Sequence, residues 1–91
     1  MNRLYVLINV QSGTAEKVVE SLQKKTGVLL ADIVESPPDI ILVVQANDNQ
    51  KLAELTIDAL APVEDMIKEL QLLPAQVSRF ALATPLAYRM N

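Results

Sequence analysis

Residues 39–46 read Asp39-Ile40-Ile41-Leu42-Val43-Val44-Gln45-Ala46, and this stretch decides the fold. Side chains along a strand alternate between its two faces, so the unbroken aliphatic run from Ile40 to Val44 presents apolar surface to both sides of a sheet. Such a strand belongs where both sides can be covered. Immediately upstream, Pro37 and Pro38 close the strand-like run Val28 to Glu35, because neither can donate to a ladder. Immediately downstream, Asn47 with Gln50, or Asp48 with Lys51, offers a helix cap. Leu52, Leu55, Ala59 and Leu60 then make an apolar stripe, widened by Ala53 and Ile57, which predicts a helix over about residues 49–60 that Pro62 prevents from continuing.

Working outward, Leu4 to Val10 reads as a first strand, with Leu4, Val6, Ile8 and Val10 on one side and Tyr5 and Leu7 on the other. Ser12 or Thr14 can cap the next segment, where Ala15, Val18, Val19 and Leu22 share one helical face. Lys24, Lys25 and then Gly27 mark the stop of that helix, predicted over about residues 14–26. After the second helix, Val63 to Asp65 turn the chain, Met66 to Leu73 form a fourth strand, and Pro74 ends it. The order is β-α-β-β-α-β. Two right-handed crossovers place both helices on one face of a four-stranded antiparallel sheet, an α+β, ferredoxin-like two-layer sandwich over residues 1–74. The tail, 75–91, carries Val77, Phe80, Leu82, Leu86 and Tyr88, and is expected to pack on its own or on a neighbouring subunit.

A chain of 91 residues is one domain, and 51% hydrophobic with 3% aromatic residues means an aliphatic core. Two helices roof one face of a sheet whose central strand is apolar on both, so the other face is expected to pair with a second copy and support a higher homo-oligomer. The net charge is −3, and among the basic residues only Lys24 and Lys25 adjoin, which leaves no clustered positive surface for nucleic acid. Neither Cys nor His occurs, which removes disulfides, thiolate nucleophiles, imidazole bases and most transition-metal ligand sets. No catalytic residue, metal or cofactor is therefore expected, and the chain reads as a non-enzyme. The apolar run Leu4 to Ile8 is broken by Asn9 and lacks a cleavage site, so no signal peptide, no membrane contact and a cytoplasmic location are expected.

Several short stretches occur together in order: Tyr5-Val6-Leu7-Ile8-Asn9, Ser12-Gly13-Thr14, Gly27-Val28, Asp39-Ile40-Ile41, Asn47-Asp48 before Leu52, and Ala61-Pro62-Val63. Over about Arg3 to Leu73 they resemble the effector-binding domain of the leucine-responsive regulator/AsnC family, the RAM domain, in a stand-alone form without the helix-turn-helix. The resemblance implies dimers paired through their sheets, further assembly, and a small effector, usually an amino acid, held between dimers at the loop joining strands two and three. It also implies a partner regulator of the same family. In that loop the family commonly has Gly, any residue, an aromatic and Asp, where this chain has Ser36-Pro37-Pro38-Asp39; at two family threonines in the last strand it has Met66 and Lys68.

The candidate ligand-binding residues are accordingly Ser36, Pro38, Asp39, Met66 and Lys68. Asp39 could accept hydrogen bonds from an α-ammonium group, or instead brace the backbone of its own turn. Lys68 could pair with a ligand carboxylate, or be a solvated strand residue that discourages sheet addition. Glu35, Asp65 and Glu69 read as surface charge. Ser12-Gly13-Thr14 lacks the glycine-rich loop and lysine of a phosphate cradle. The sequence thus describes a non-catalytic, amino-acid-like effector-binding module acting through a partner in transcriptional or metabolic regulation. The alternative is an interaction or oligomerisation domain whose ligand pocket has degenerated.

Overall fold

The computed structural model describes residues 1–76. The elements are β1 (Asn2–Val10), α1 (Ala15–Gln23), β2 (Val28–Ile33), β3 (Ile40–Ala46), α2 (Asn49–Leu60), a 3-10 helix (Ala61–Met66) and β4 (Ile67–Gln76). The strands form one sheet in the order β2-β3-β1-β4, every neighbour antiparallel. This is the expected ferredoxin-like order, with the doubly apolar β3 and its partner β1 at the centre.

Register explains what each face buries. Leu4 pairs with Val44, Val6 with Leu42 and Ile8 with Ile40 on the helix side, where they meet Val18, Val19 and Leu22 of α1 and Leu52 and Ala59 of α2. Each fully buried aliphatic side chain of that layer contributes roughly 1.5–3 kcal/mol of transfer free energy. On the other side Tyr5 pairs with Val43 and Leu7 with Ile41, and Leu30 and Leu73 flank them. Val43 is only 6% exposed, Tyr5, Leu7 and Ile41 are half-buried, and Leu30 and Leu73 are exposed. The rear of the sheet is therefore apolar at its centre. It is bordered by polar groups: the Arg3 Nε and Nη2 donate to Gln45 Oε1 at 3.0 and 2.7 Å, and Nη1 donates to the Tyr5 hydroxyl at 3.2 Å.

Element boundaries depart from the sequence reading at several points. α1 ends at Gln23, three residues early, because Lys24 to Gly27 form a turn in which Gly27, at φ +85°, offers its carbonyl to the Gln45 N–H at 2.9 Å. Thr14 sits at the N-cap position, but its hydroxyl donates to the Gln11 carbonyl at 2.7 Å instead of accepting from the helix. Of the two caps proposed for α2, Asp48 is used, accepting from the Lys51 N–H at 2.8 Å. β2 stops at Ile33, since the next N–H, Val34, donates across the loop to the Asp39 carbonyl at 2.9 Å. Val63 to Asp65 lie in the 3-10 helix that Pro62 initiates, which also takes Met66 out of the strand. Pro74 does not end β4. The strand runs on to Gln76 with Pro74 opposite Leu4, as a sheet edge allows for a residue without an N–H. The remainder of the tail, and with it the choice between packing in cis or on a neighbour, lies outside the described residues.

Candidate ligand site at the β2–β3 loop

Asp39 closes the loop that enters β3, and three hydrogen bonds fasten it. Its N–H donates to the Ile8 carbonyl at 2.9 Å, its carbonyl accepts from Val34, and its Oδ2 accepts from the Val10 N–H at 2.9 Å. The carboxylate thus braces backbone, but that of β1 through Val10 and not that of its own turn, which is held by the Asp39 main-chain carbonyl. The Val10 N–H, and next the Ser36 side chain, hold the Asp39 carboxyl below the usual carboxylate range; partial desolvation opposes them, and the charge of Lys68 adds a smaller lowering.

Lys68 reaches this place through a bulge. Asn9 pairs with Glu69, but Val10 pairs with Ile67, so Lys68 is the extra residue on β4. Without the bulge the lysine would oppose Val10, a core residue. With it, Ile67 packs against the core and Lys68 lines the same cleft as Asp39, near enough for its charge to be felt but not within ion-pair distance. Glu69, one residue on, faces the rear of the sheet, where its Oε1 accepts from Asn9 Nδ2 at 3.0 Å. The other amide atom, Asn9 Oδ1, is buried with no hydrogen-bond partner.

These groups line an open cleft of about 390 Å³ formed by Asn9, Ser36, Pro37, Asp39, Lys68 and Glu69. Ser36, Asp39 and Lys68 also border a second depression, toward Gln11 to Gly13 and the start of α1. Pro38 lines an adjoining hollow of about 260 Å³ on the rear face, with Leu7, Asn9 and Gln71. Met66 borders none of these; its carbonyl accepts from the Gln11 N–H at 2.8 Å and its side chain packs on the core. The structure therefore brings Ser36, Asp39 and Lys68 together, puts Pro38 next door and gives Met66 a supporting position. It adds Asn9, which sequence reasoning passed over, and Glu69, which it assigned to surface charge; only the register of β1 against β4 brings the two together.

Chemically, the cleft offers one cation and two carboxylates, a set suited to holding a small molecule that carries both signs of charge. Among the described residues no group of three or more His, Cys, Asp or Glu could hold a metal ion, and no helix is long and apolar enough to cross a membrane.

No family model matches the chain, and no curated protein matches it. Solved structures do. The hypothetical protein PHS023 from Pyrococcus horikoshii aligns with a TM-score of 0.75 at 20% identity, over 86% of this chain and 93% of its own. FFRP-DM1 aligns with a TM-score of 0.71 at 21% identity, over 82% of this chain and 99% of its own. A transcriptional regulatory protein of the ASNC family from Pyrococcus furiosus aligns with a TM-score of 0.57 at 21% identity, over 80% of this chain and 49% of its own. The chain spans about half of that regulator. Likeness at this level of identity shows a common fold, and that fold is the one found in an ASNC regulator.

Proposed function

We propose that this chain is a non-catalytic, RAM-type effector-binding module of the leucine-responsive regulator/AsnC kind. It assembles through the rear of its sheet into dimers and higher homo-oligomers, and it regulates transcription or metabolism through a partner regulator. The observation that carries the reading is the convergence of Asp39, Ser36 and the bulged Lys68 with Asn9 and Glu69 in one cleft of mixed charge. In this reading Lys68 takes the carboxylate of an amino-acid-like effector, and Asp39 with Glu69 takes its ammonium group. Pro38 shapes the wall toward the rear face, and Met66 stays outside the cleft, tying the end of β1 through Gln11. A ligand seated where copies meet would bias the assembly, and through it the contacts offered to a partner.

A thermal-shift panel of amino acids and related small metabolites tests this. A ligand present at a hundred times its Kd raises stability by about 2.7 kcal/mol, and Lys68→Gln should abolish that rise while leaving the unliganded protein folded. Lys68 is the better probe, because Asp39→Ala would also free the Val10 N–H and loosen the loop. If no compound shifts the wild type, the effector reading falls. One observation favours the alternative of an oligomerisation domain with a degenerate pocket: the Asp39 carboxylate is already engaged by Val10 and Ser36.

A further inference from the structure

The cleft beside Asp39 is the middle of a longer trough. Toward α1 it shares Ser36, Asp39 and Lys68 with the depression at Gln11 to Gly13, and toward the rear face it shares Asn9, Pro37 and Glu69 with the hollow that Leu7, Pro38 and Gln71 complete. Along β4 the lining runs from Lys68 to Gln71, ~10 Å at ~3.3 Å per residue. The head group of an α-amino acid, with carboxylate and ammonium on the same carbon, occupies only one end of such a space.

The charges are divided between the two ends. Asp39 and Lys68 border the α1 side of the trough, whereas Glu69 borders the rear hollow. The bulge separates these sequence neighbours, because it releases Lys68 from the pairing that fixes Glu69 opposite Asn9. The two carboxylates also differ in what already engages them. Asp39 accepts from the Val10 N–H and from Ser36, while Glu69, an exposed residue, gives Oε1 to Asn9. Between the two ends stand Pro37, Pro38 and Leu7, an apolar wall suited to methylene groups. Two carboxylates against one ammonium leave the trough with one negative charge in excess. An amino acid with an uncharged side chain leaves that excess in place, and one with a second ammonium group removes it.

We propose, resting on the effector reading above, that the effector is a diamino monocarboxylic acid: an α-amino acid whose side chain is a run of methylenes ending in an ammonium group, of the size of ornithine or lysine. Its carboxylate meets Lys68, its α-ammonium meets Asp39, its methylenes pass the prolines and its terminal ammonium reaches Glu69. The two carboxylates then hold one ammonium group each.

Titration calorimetry of the full chain with L-lysine, L-norleucine and cadaverine tests this. Norleucine keeps the carbon chain of lysine without the terminal ammonium group, and cadaverine keeps both amino groups without the carboxylate. Lysine should bind about tenfold tighter than either, equivalent to ~1.4 kcal/mol. Glu69→Gln should erase the preference over norleucine and leave the norleucine Kd unchanged, and Lys68→Gln should weaken lysine and norleucine alike. Both residues are exposed, and the side-chain carbonyl introduced by Glu69→Gln can still accept from Asn9, so neither change threatens the fold. Norleucine binding as tightly as lysine, or a lysine preference that survives Glu69→Gln, would overturn the diamino inference and leave the effector reading in place. Cadaverine binding as tightly as lysine overturns it too, since Lys68 then recognises no carboxylate. If lysine gives no heat while another amino acid stabilises the protein in the thermal-shift panel, the diamino inference falls alone; if no compound binds, both fall.

Discussion

Replacing Gly27 by alanine tests how the first helix is tied to the sheet. Gly27 adopts φ +85°, and a Cβ built there stands 2.6 Å from Leu55 Cδ1 and 3.4 Å from both Leu55 Cβ and the Gln45 carbonyl oxygen. Holding an L-residue in the left-handed region costs roughly 1–2 kcal/mol. Moving the Leu55 methyl off its rotamer adds roughly 0.5–1.5 kcal/mol. The backbone cannot relax freely, because the Gly27 carbonyl accepts from Gln45 at 2.9 Å. The expected loss is therefore about 1.5–3.5 kcal/mol. Gly13 supplies the control, with a similar φ of +81° and nothing within 4 Å of its Cβ, so Gly13→Ala should cost only the backbone share, roughly 1–2 kcal/mol. Urea unfolding followed by far-UV circular dichroism at one protein concentration gives both values, and an unchanged m-value keeps them comparable. In the double variant Gly27→Ala/Leu55→Ala, the steric share should disappear as a coupling energy. If Gly27→Ala proves no more damaging than Gly13→Ala, the contact with Leu55 carries no weight and the reasoning fails.

Two further predictions concern assembly and acid. Leu7→Glu places a charge at the centre of the apolar rear face, so light scattering should show the wild-type oligomer reduced to the 10.0 kDa monomer with its secondary structure retained; a wild type already monomeric at micromolar concentration would remove the rear-face pairing. Because the folded-state carboxyl of Asp39 titrates below its ordinary value of 3.8, its contribution to stability is present above that pH and lost as the pH falls through the lower, folded value. Asp39→Asn should therefore narrow its stability gap from the wild type in acid, and a gap constant from neutral pH down to the acid transition would show that the Val10 contact confers no such dependence.

The order of elements and the covering of the third strand were legible because the signals are periodic: unbroken apolar runs mark strands one and three, and apolar residues at helical spacing mark the two helices between strands. Boundaries were less so, since they depend on bonds made across the molecule. The Val34 N–H ends β2 by turning to Asp39, and the position of β4 at the edge lets it run through Pro74. Of the candidate site, Asp39 and Ser36 were named because their short loop falls where the family pattern places an effector. Asn9 and Glu69 could not be, because neither is unusual until the register of β1 against β4 places one amide beside one carboxylate. Lys68 was named from a family pattern, and nothing in the alternation of residues 66–73 announces that its neighbours on either side obey different phases.

That change of phase constrains how such a cleft can arise or vanish. Removing the one supernumerary position in β4 would set Val10 against a shortened ladder and leave no cation at the mouth of the loop, although every other codon stayed the same. A length change of a single residue thus outweighs most replacements of side chains here. Alignments that slide a gap by one place across this strand would misassign which relatives own the charge.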